Sequence, residues 1–128
     1  MATFSSPAGV AAPIGMYSHC AQVKANADIF YFAGQVGSKP DGSYGETIEQ
    51  QSDYAYANVI ALLKANGMTA SDIVKLNVFV TDRGYRDAAN VARKKHLGEA
   101  RPASTFVVCA GLAQPNLMIE LDVVASKG

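Results

Sequence analysis

The chain has 128 residues, of which 49% are apolar and 17% charged, and its formal net charge is zero. This length and composition predict one globular domain with a proper core. The balanced charge disfavours partners such as nucleic acid or an anionic membrane surface. No apolar run approaches the roughly 20 residues of a membrane span. The two cysteines lack metal spacing and lie in apolar contexts, which indicates reduced core thiols in a cytoplasmic protein, with a disulfide as the alternative.

The first third of the chain predicts strands and loops. Residues 1–15 are small and include prolines and glycines, typical of a short strand or extended arm followed by a loop. Residues 17–24 and 29–36 are two β-rich runs separated by a short polar and small-residue segment, which predicts a hairpin. Gly37–Gly45 then predicts a turn-rich loop.

The clearest helix spans Thr47 to Asn66. Thr47 and Gln50 have the spacing of a capping box, in which each side chain satisfies a free backbone N–H. Apolar residues follow at helical spacing and predict one buried stripe. Asn66 and Gly67 form a stop signal, because Gly adopts the left-handed conformation readily.

An alternating strand and a second helix follow. Residues 73–81 place valines and a leucine on one face and mostly polar residues on the other, which predicts a half-covered strand. A helix is predicted from Tyr85 to about His96 and is closed by Gly98. Its predicted apolar positions are Ala88, Ala89, Val91 and Ala92.

The last quarter predicts two adjacent buried strands, residues 105–112 and 117–125, joined by the turn 113–116. The second run carries two carboxylates, Glu120 and Asp122. A carboxylate in a buried strand costs free energy unless it is hydrogen-bonded, paired or solvated. Glu120 is therefore the first candidate for a functional residue.

The resulting order, β-β-α-β-α-β-β with a further strand possible at the N-terminus, favours an α+β fold. We predict a two-layer sandwich, in which a mixed β-sheet carries two helices on one face. The other face is predicted to be mostly apolar and has no helix to cover it. Such a face is exposed to water or buried by another subunit, and its apolar character favours a subunit.

Several segments resemble the RidA family, also called YjgF or UK114, the imine and enamine deaminases. The resemblance covers nearly the whole chain and is carried by Gly15-x-Tyr17-Ser18, FAGQV at 32–36, VKLNVFVTD at 74–82, Asn90, and PAST followed by IELDVVA. It implies a chorismate-mutase-like fold, a homotrimer, and sites in the clefts between subunits. It also implies a small-molecule imine or enamine substrate, with no cofactor and no metal.

One departure from the family pattern concerns the substrate. The family has Arg as the third residue of P-A-R-[ST], where it grips a substrate carboxylate, whereas this chain has Ser104. A Ser cannot reproduce the bidentate guanidinium fork. Arg101 is nearby in sequence, but three extended residues place it about 10 Å away and on the opposite face. The departure argues against 2-aminoacrylate as substrate.

The resemblance implies two catalytic residues. Glu120 is predicted to act as a general base or water anchor in hydrolysis of a C=N bond, or else to pair with a Lys or Arg across the trimer interface. Tyr17 is predicted to donate its hydroxyl to the substrate, or else to be an interfacial aromatic residue with a wet tip.

Five further residues are substrate-binding candidates. Ser104 offers a hydroxyl, but it lacks the fixed His or Asp partner of a nucleophile. Gly34 permits close backbone approach at a strand end. Asn90 either lines the cleft or holds a loop. His19 replaces the usual Gln of the family or lies at the surface. Arg101 is the candidate to replace the missing arginine, and its distance and opposite face argue against that role.

Three functions are compatible with these residues. The first is a cofactor-independent hydrolytic deaminase that releases ammonia from an imine, for example of the aminomuconate type. The second is a non-catalytic trimer that binds a small metabolite. The third, an RNA-cleaving protein, is disfavoured by the neutral charge and by the lack of a basic stripe.

Overall fold

The computed structural model describes residues 2–128. They form two layers, one of helices and one of β-sheet. Two helices pack on one face of a mixed sheet, as the sequence predicts. The helices are α1 (Ile48–Ala65) and α2 (Arg86–Leu97). The strands are β1 (Thr3–Ser5), β2 (Cys20–Gln22), β3 (Asp28–Tyr31), β4 (Gln35–Val36), β5 (Ile73–Val80), β6 (Ala103–Val108) and β7 (Ile119–Lys127).

The strand pairing differs from the sequence prediction in two places. The main sheet has the order β3-β7-β5-β6, and β4 also pairs with β7. The predicted hairpin of residues 17–24 and 29–36 is wrong, because β2 pairs with β1 whereas β3 pairs with β7. The predicted adjacency of the last two strands is also wrong, because β5 lies between β6 and β7. The reason is that β5 and β6, which flank α2, run parallel and pair directly.

Helix α1 begins and ends as its sequence predicts. The Thr47 hydroxyl accepts a hydrogen bond from the Gln50 backbone N–H at 3.1 Å. The Gln50 side-chain oxygen accepts a hydrogen bond from the backbone N–H of Glu46 and not from that of Thr47, so the second hydrogen bond of the predicted capping box is displaced by one residue. Asn66 caps the end, and Gly67 follows with φ of 71°, in the left-handed region.

The core lies between the helices and the sheet. From the sheet it receives alternate residues of β5 and β7, such as Leu76, Val78 and Leu121, all fully buried. From α1 it receives Tyr56 and Leu63. The alternation predicted for β5 is therefore confirmed.

Helix α2 differs from its predicted apolar face at one position. Ala89 and Ala92 are buried as predicted, but Val91 is 71% exposed. The buried stripe instead includes Arg93 and Leu97. The Arg93 side chain reaches from this stripe to Ser104 on β6 and to Met16.

The face of the sheet that lacks helices is more polar than predicted. It presents Lys75 and Asn77 from β5, Thr105 from β6, and Glu120 and Asp122 from β7. The Lys75 ammonium donates to the Thr105 hydroxyl at 3.3 Å, and the Asn77 amide to the Asp122 carboxylate at 3.5 Å. Phe79 and Val124 lie among these polar groups.

Neither helix within residues 2–128 has the length and hydropathy that crossing a membrane requires. Both cysteines are free thiols, and Cys20 is exposed instead of lying in the core.

Candidate functional site

A cavity of about 480 Å³ opens between α2, β6 and the segment that precedes β2. It brings together three of the residues singled out from the sequence, Tyr17, Asn90 and Ser104. Its wall is completed by side chains that include Arg86, Arg93 and Phe106. Chemically it offers hydroxyl, amide and guanidinium donors beside an aromatic ring.

The segment before β2 is held at the cavity by backbone hydrogen bonds. The Ser18 N–H donates to the Pro102 carbonyl at 3.1 Å, and Ser18 bridges Ala103 in parallel register. This anchor places Tyr17 beside the first residues of β6. The Tyr17 hydroxyl accepts a hydrogen bond from the Ile14 N–H at 3.3 Å, so its own hydrogen is available for a ligand.

Arg93 was not predicted from the sequence to be a functional residue, and it is the most buried charged group in the cavity wall. The residue is 6% exposed, and one guanidinium nitrogen donates to the Ser104 hydroxyl at 3.2 Å. Another donates to the Met16 carbonyl. The Nε–H has no hydrogen-bond partner, and Arg93 forms no ion pair with any residue from 2 to 128.

Burial lowers the pKa of the Arg93 guanidinium. The neighbouring Arg101 lowers it further, whereas Tyr56 acts in the opposite direction. The sequence did contain a signal for Arg93. It lies four residues after Ala89 and four before Leu97, on the buried stripe of the helix. A charge on such a stripe needs a partner.

Arg86 supplies a second cation at the start of α2. Its guanidinium lies 6.0 Å from the centroid of the Phe106 ring, within cation–π range. Arg86, Asn90 and Arg93 follow one another at intervals of four and three residues and therefore share a helix face. The described lining of the cavity includes these two arginines and no carboxylate, so the cavity favours anions.

Glu120 and Gly34 form a second cluster away from this cavity. A Cβ built on Gly34 would lie 2.0 Å from Glu120 Oε2, which means that the carboxylate rests against the Gly34 backbone. Glu120 is partly buried and pairs with Val36 on one side and Phe79 on the other.

The two clusters lie on opposite faces of the sheet. Ser104 pairs with Leu76, whose side chain is buried on the helix side. Glu120 pairs with Phe79, and alternation along β5 places Phe79 on the side opposite Leu76. Within one chain, therefore, the Glu120 carboxylate does not reach the cavity that Ser104 lines.

Two further candidates, Arg101 and His19, belong neither to the cavity lining nor to the Glu120–Gly34 cluster. The Arg101 guanidinium donates to the carbonyls of Gly98 at 3.1 Å and Ala100 at 3.0 Å, just beyond the end of α2. Arg101 lines a separate, smaller cavity. The His19 ring lies 5.8 Å from the Tyr17 ring, centroid to centroid, and its buried Nδ1 has no hydrogen-bond partner.

Comparison with known proteins relates the chain to one protein family over most of its length. The family model described as Endoribonuclease L-PSP matches residues 9–127. The chain is 30% identical over 114 residues to the 2-iminobutanoate/2-iminopropanoate deaminase of Dermatophagoides farinae, covering 88% of this chain and 86% of that protein. It is 34% identical over 120 residues to the RutC family protein YjgH of Escherichia coli, covering 88% and 90%.

The fold is similar to that of a solved structure from Yersinia pestis, YyfB of the conserved Rid protein family. The TM-score is 0.85 at 23% identity, with 97% of each chain covered. At that identity the likeness concerns the fold alone.

Proposed function

Because the chain belongs to the Endoribonuclease L-PSP family, the family of the Rid (YjgF) proteins, we propose that it is a cofactor-independent hydrolytic deaminase. Family membership supports imine deaminase activity in general. The proposed reaction converts an imine, or the enamine in equilibrium with it, into a carbonyl compound and ammonia. The observation that carries the proposal is the Glu120 carboxylate lodged against the Gly34 backbone on an open face of the sheet.

The proposed mechanism uses Glu120 as a general base. Glu120 takes a proton from water while the water oxygen attacks the C=N carbon, and Glu120 then passes that proton to the nitrogen to give a neutral carbinolamine. Glu120 next takes the hydroxyl proton of the carbinolamine and delivers it to the nitrogen, so that the C–N bond breaks, ammonia leaves and the carbonyl forms. The Tyr17 hydroxyl donates a hydrogen bond to the substrate, and its fixed position beside Ile14 supports that role.

We further propose that the complete site forms between copies of the chain, in a homotrimer. Tyr17, Asn90 and Ser104 lie on the helix side of the sheet, whereas Gly34 and Glu120 lie on the other side. One copy therefore holds two incomplete halves. The face around Glu120 has no helix to cover it, which supports its use as an interface with a second copy.

The proposed substrate is larger than 2-aminoacrylate, for example an imine of the aminomuconate type. Ser104 itself brings only a short hydroxyl where the family has a guanidinium fork, and the guanidinium beside it, that of Arg93, comes from α2 instead. A cavity of about 480 Å³ is in the range of sites that hold molecules larger than a three-carbon acid. The free thiols Cys20 and Cys109 support a reducing, cytoplasmic setting.

The test is ammonia release from a panel of imines generated in situ, small and large, with wild-type protein and Glu120→Gln. At least one imine should be hydrolysed, and Glu120→Gln should lower its rate at least about a hundredfold. Asp122→Asn is a matched control, because Asp122 lies on the same strand face and bonds to Asn77. Full activity in Glu120→Gln would refute the mechanism. Ligand binding without turnover of any imine would favour a non-catalytic metabolite-binding protein.

A further inference from the structure

Arg93 carries a charge that no described group of the chain neutralises. It is 6% exposed, its Nε–H lacks a partner, and it forms no ion pair within residues 2–128. A guanidinium remains protonated in proteins, and a buried charge without a counter-charge is costly. A purely structural arginine in this position would be expected to pair with a carboxylate.

The contacts that Arg93 does make orient its guanidinium along the cavity wall. Its two terminal nitrogens donate to the Ser104 hydroxyl and the Met16 carbonyl, on β6 and on the segment before β2. Ser104 and Met16 both line the cavity. These bonds use only part of the five N–H groups of the guanidinium, so donors remain for a ligand.

Arg86 lies two helical turns from Arg93, about 10 Å along the helix axis. It faces the same cavity and stacks over the Phe106 ring. Two like charges on one cavity wall raise the cost of leaving the cavity without an anion. The Phe106 ring and the Ile14 side chain add an apolar wall, which suits the hydrocarbon part of an organic anion better than it suits an inorganic ion.

We propose that Arg93 and Arg86 form a carboxylate-binding subsite, so that helix α2 supplies the guanidinium groups that bind the substrate. This proposal rests on the proposed function only in identifying the bound anion with the substrate. The separation of the two arginines suits a substrate with two carboxylates, of which Arg93 binds one with Ser104 beside it and Arg86 binds the other. Arg93 is then a residue that determines specificity for the substrate, acting by direct contact.

Binding can be measured without turnover, using cis,cis-muconate, a planar dicarboxylate that has no C=N bond. Titration calorimetry on the wild-type protein should detect binding, and the uncharged dimethyl ester should bind at least about tenfold more weakly. Arg93→Met should raise the Kd of muconate about tenfold to a hundredfold. Arg93→Lys should give an intermediate value, because it keeps the charge and loses the fork.

Arg86→Gln keeps the test valid if Arg93→Met fails to fold, because Arg86 is exposed and its loss leaves the core intact. It should raise the Kd about threefold to tenfold. Arg83→Gln is the matched control. It removes the same charge three residues earlier, outside the cavity lining, and should leave the Kd within about twofold of wild type.

Muconate binding that is absent in wild type, equal for the diester, or unchanged in Arg93→Met and Arg86→Gln would overturn the proposal. The result is separable from the proposed activity. Muconate binding that depends on Arg93 in a protein without deaminase activity would sustain this inference and refute the enzyme. Normal imine hydrolysis by Arg93→Met would sustain the proposed enzyme and refute the role of Arg93 in binding the substrate.

Discussion

Gly34 provides the sharpest test of the position of Glu120. An alanine Cβ at this position would lie 2.0 Å from Glu120 Oε2 and 2.9 Å from its Cδ, whereas ordinary contact begins at 3.4 Å. The difference between 3.4 and 2.0 Å means that the carboxylate oxygen must move by about 1.4 Å. A displacement of about 1 Å in a reacting group can cost about a hundredfold in rate.

We therefore expect Gly34→Ala to lower ammonia release about a hundredfold on whichever imine the wild-type protein hydrolyses fastest. The fold should tolerate the change, because all three close atoms belong to the flexible Glu120 side chain. The free energy of unfolding, measured with urea, should change by less than about 1 kcal/mol, since alanine also reduces the entropy of the unfolded chain.

Gly37→Ala is the matched control for Gly34→Ala. Its Cβ would lie 2.4 Å from Gln51 Cβ and 2.5 Å from Gln51 Cα, so the clash is with the body of α1. This variant should lose about 1–3 kcal/mol of stability and keep its rate per folded molecule. If Gly34→Ala folds normally and retains full ammonia release, the position of the Glu120 carboxylate is not required for the reaction.

Two further predictions concern stability. Gln51 is 1% exposed, and its side chain forms hydrogen bonds with the carbonyls of Gly45 and Asn116 and with the N–H of Met118. Gln51→Ala should therefore lower the free energy of unfolding, measured with urea, by about 2–4 kcal/mol. A loss below about 1 kcal/mol would contradict this. Hydrogen bonds from Lys95 and then His96 hold the pKa of Asp53 below its usual 3.8, while burial acts in the opposite direction. A depressed carboxylate pKa stabilises the fold above the unfolded value, and this contribution is lost as pH falls through the folded value. Because the Asp53 side chain is 37% exposed, Asp53→Asn should cost only about 0.5 kcal/mol at pH 6, and the difference from wild type should vanish toward pH 2; a difference that persists there would refute the assignment.

The helices and β5 were predictable because their signals are local. The Thr47 cap, the Gly67 stop and the strict alternation of residues 73–80 each depend on neighbours in sequence. The strand partners were not predictable in this way. The apolar runs of β6 and β7 do not reveal that β5 lies between them, because the pairing depends on contacts distant in sequence.

The candidate site was predictable only in part. Tyr17, Asn90 and Ser104 were selected from the family resemblance, and the fold brings them to one cavity. Arg93 was missed because the buried face of α2 was predicted from its apolar residues, Val91 among them. In the structure Val91 is exposed and Arg93 lies on the buried face. Its contact with Ser104 joins residues from two elements and is visible only in the folded chain.

The central claim is that the active site is completed by a second copy of the chain, with Tyr17 supplied by one copy and Glu120 by the other. The direct measurement is ammonia release by mixed assemblies in which Tyr17→Phe and Glu120→Gln chains are co-expressed with different tags and purified together. Each variant alone should retain about a hundredth of wild-type activity or less. In a trimer that contains both variants, one of the three sites joins an intact Tyr17 to an intact Glu120, so the mixed assemblies should recover about a third of wild-type activity. Mixed assemblies no more active than their parents, or a protein that stays monomeric, would contradict the account.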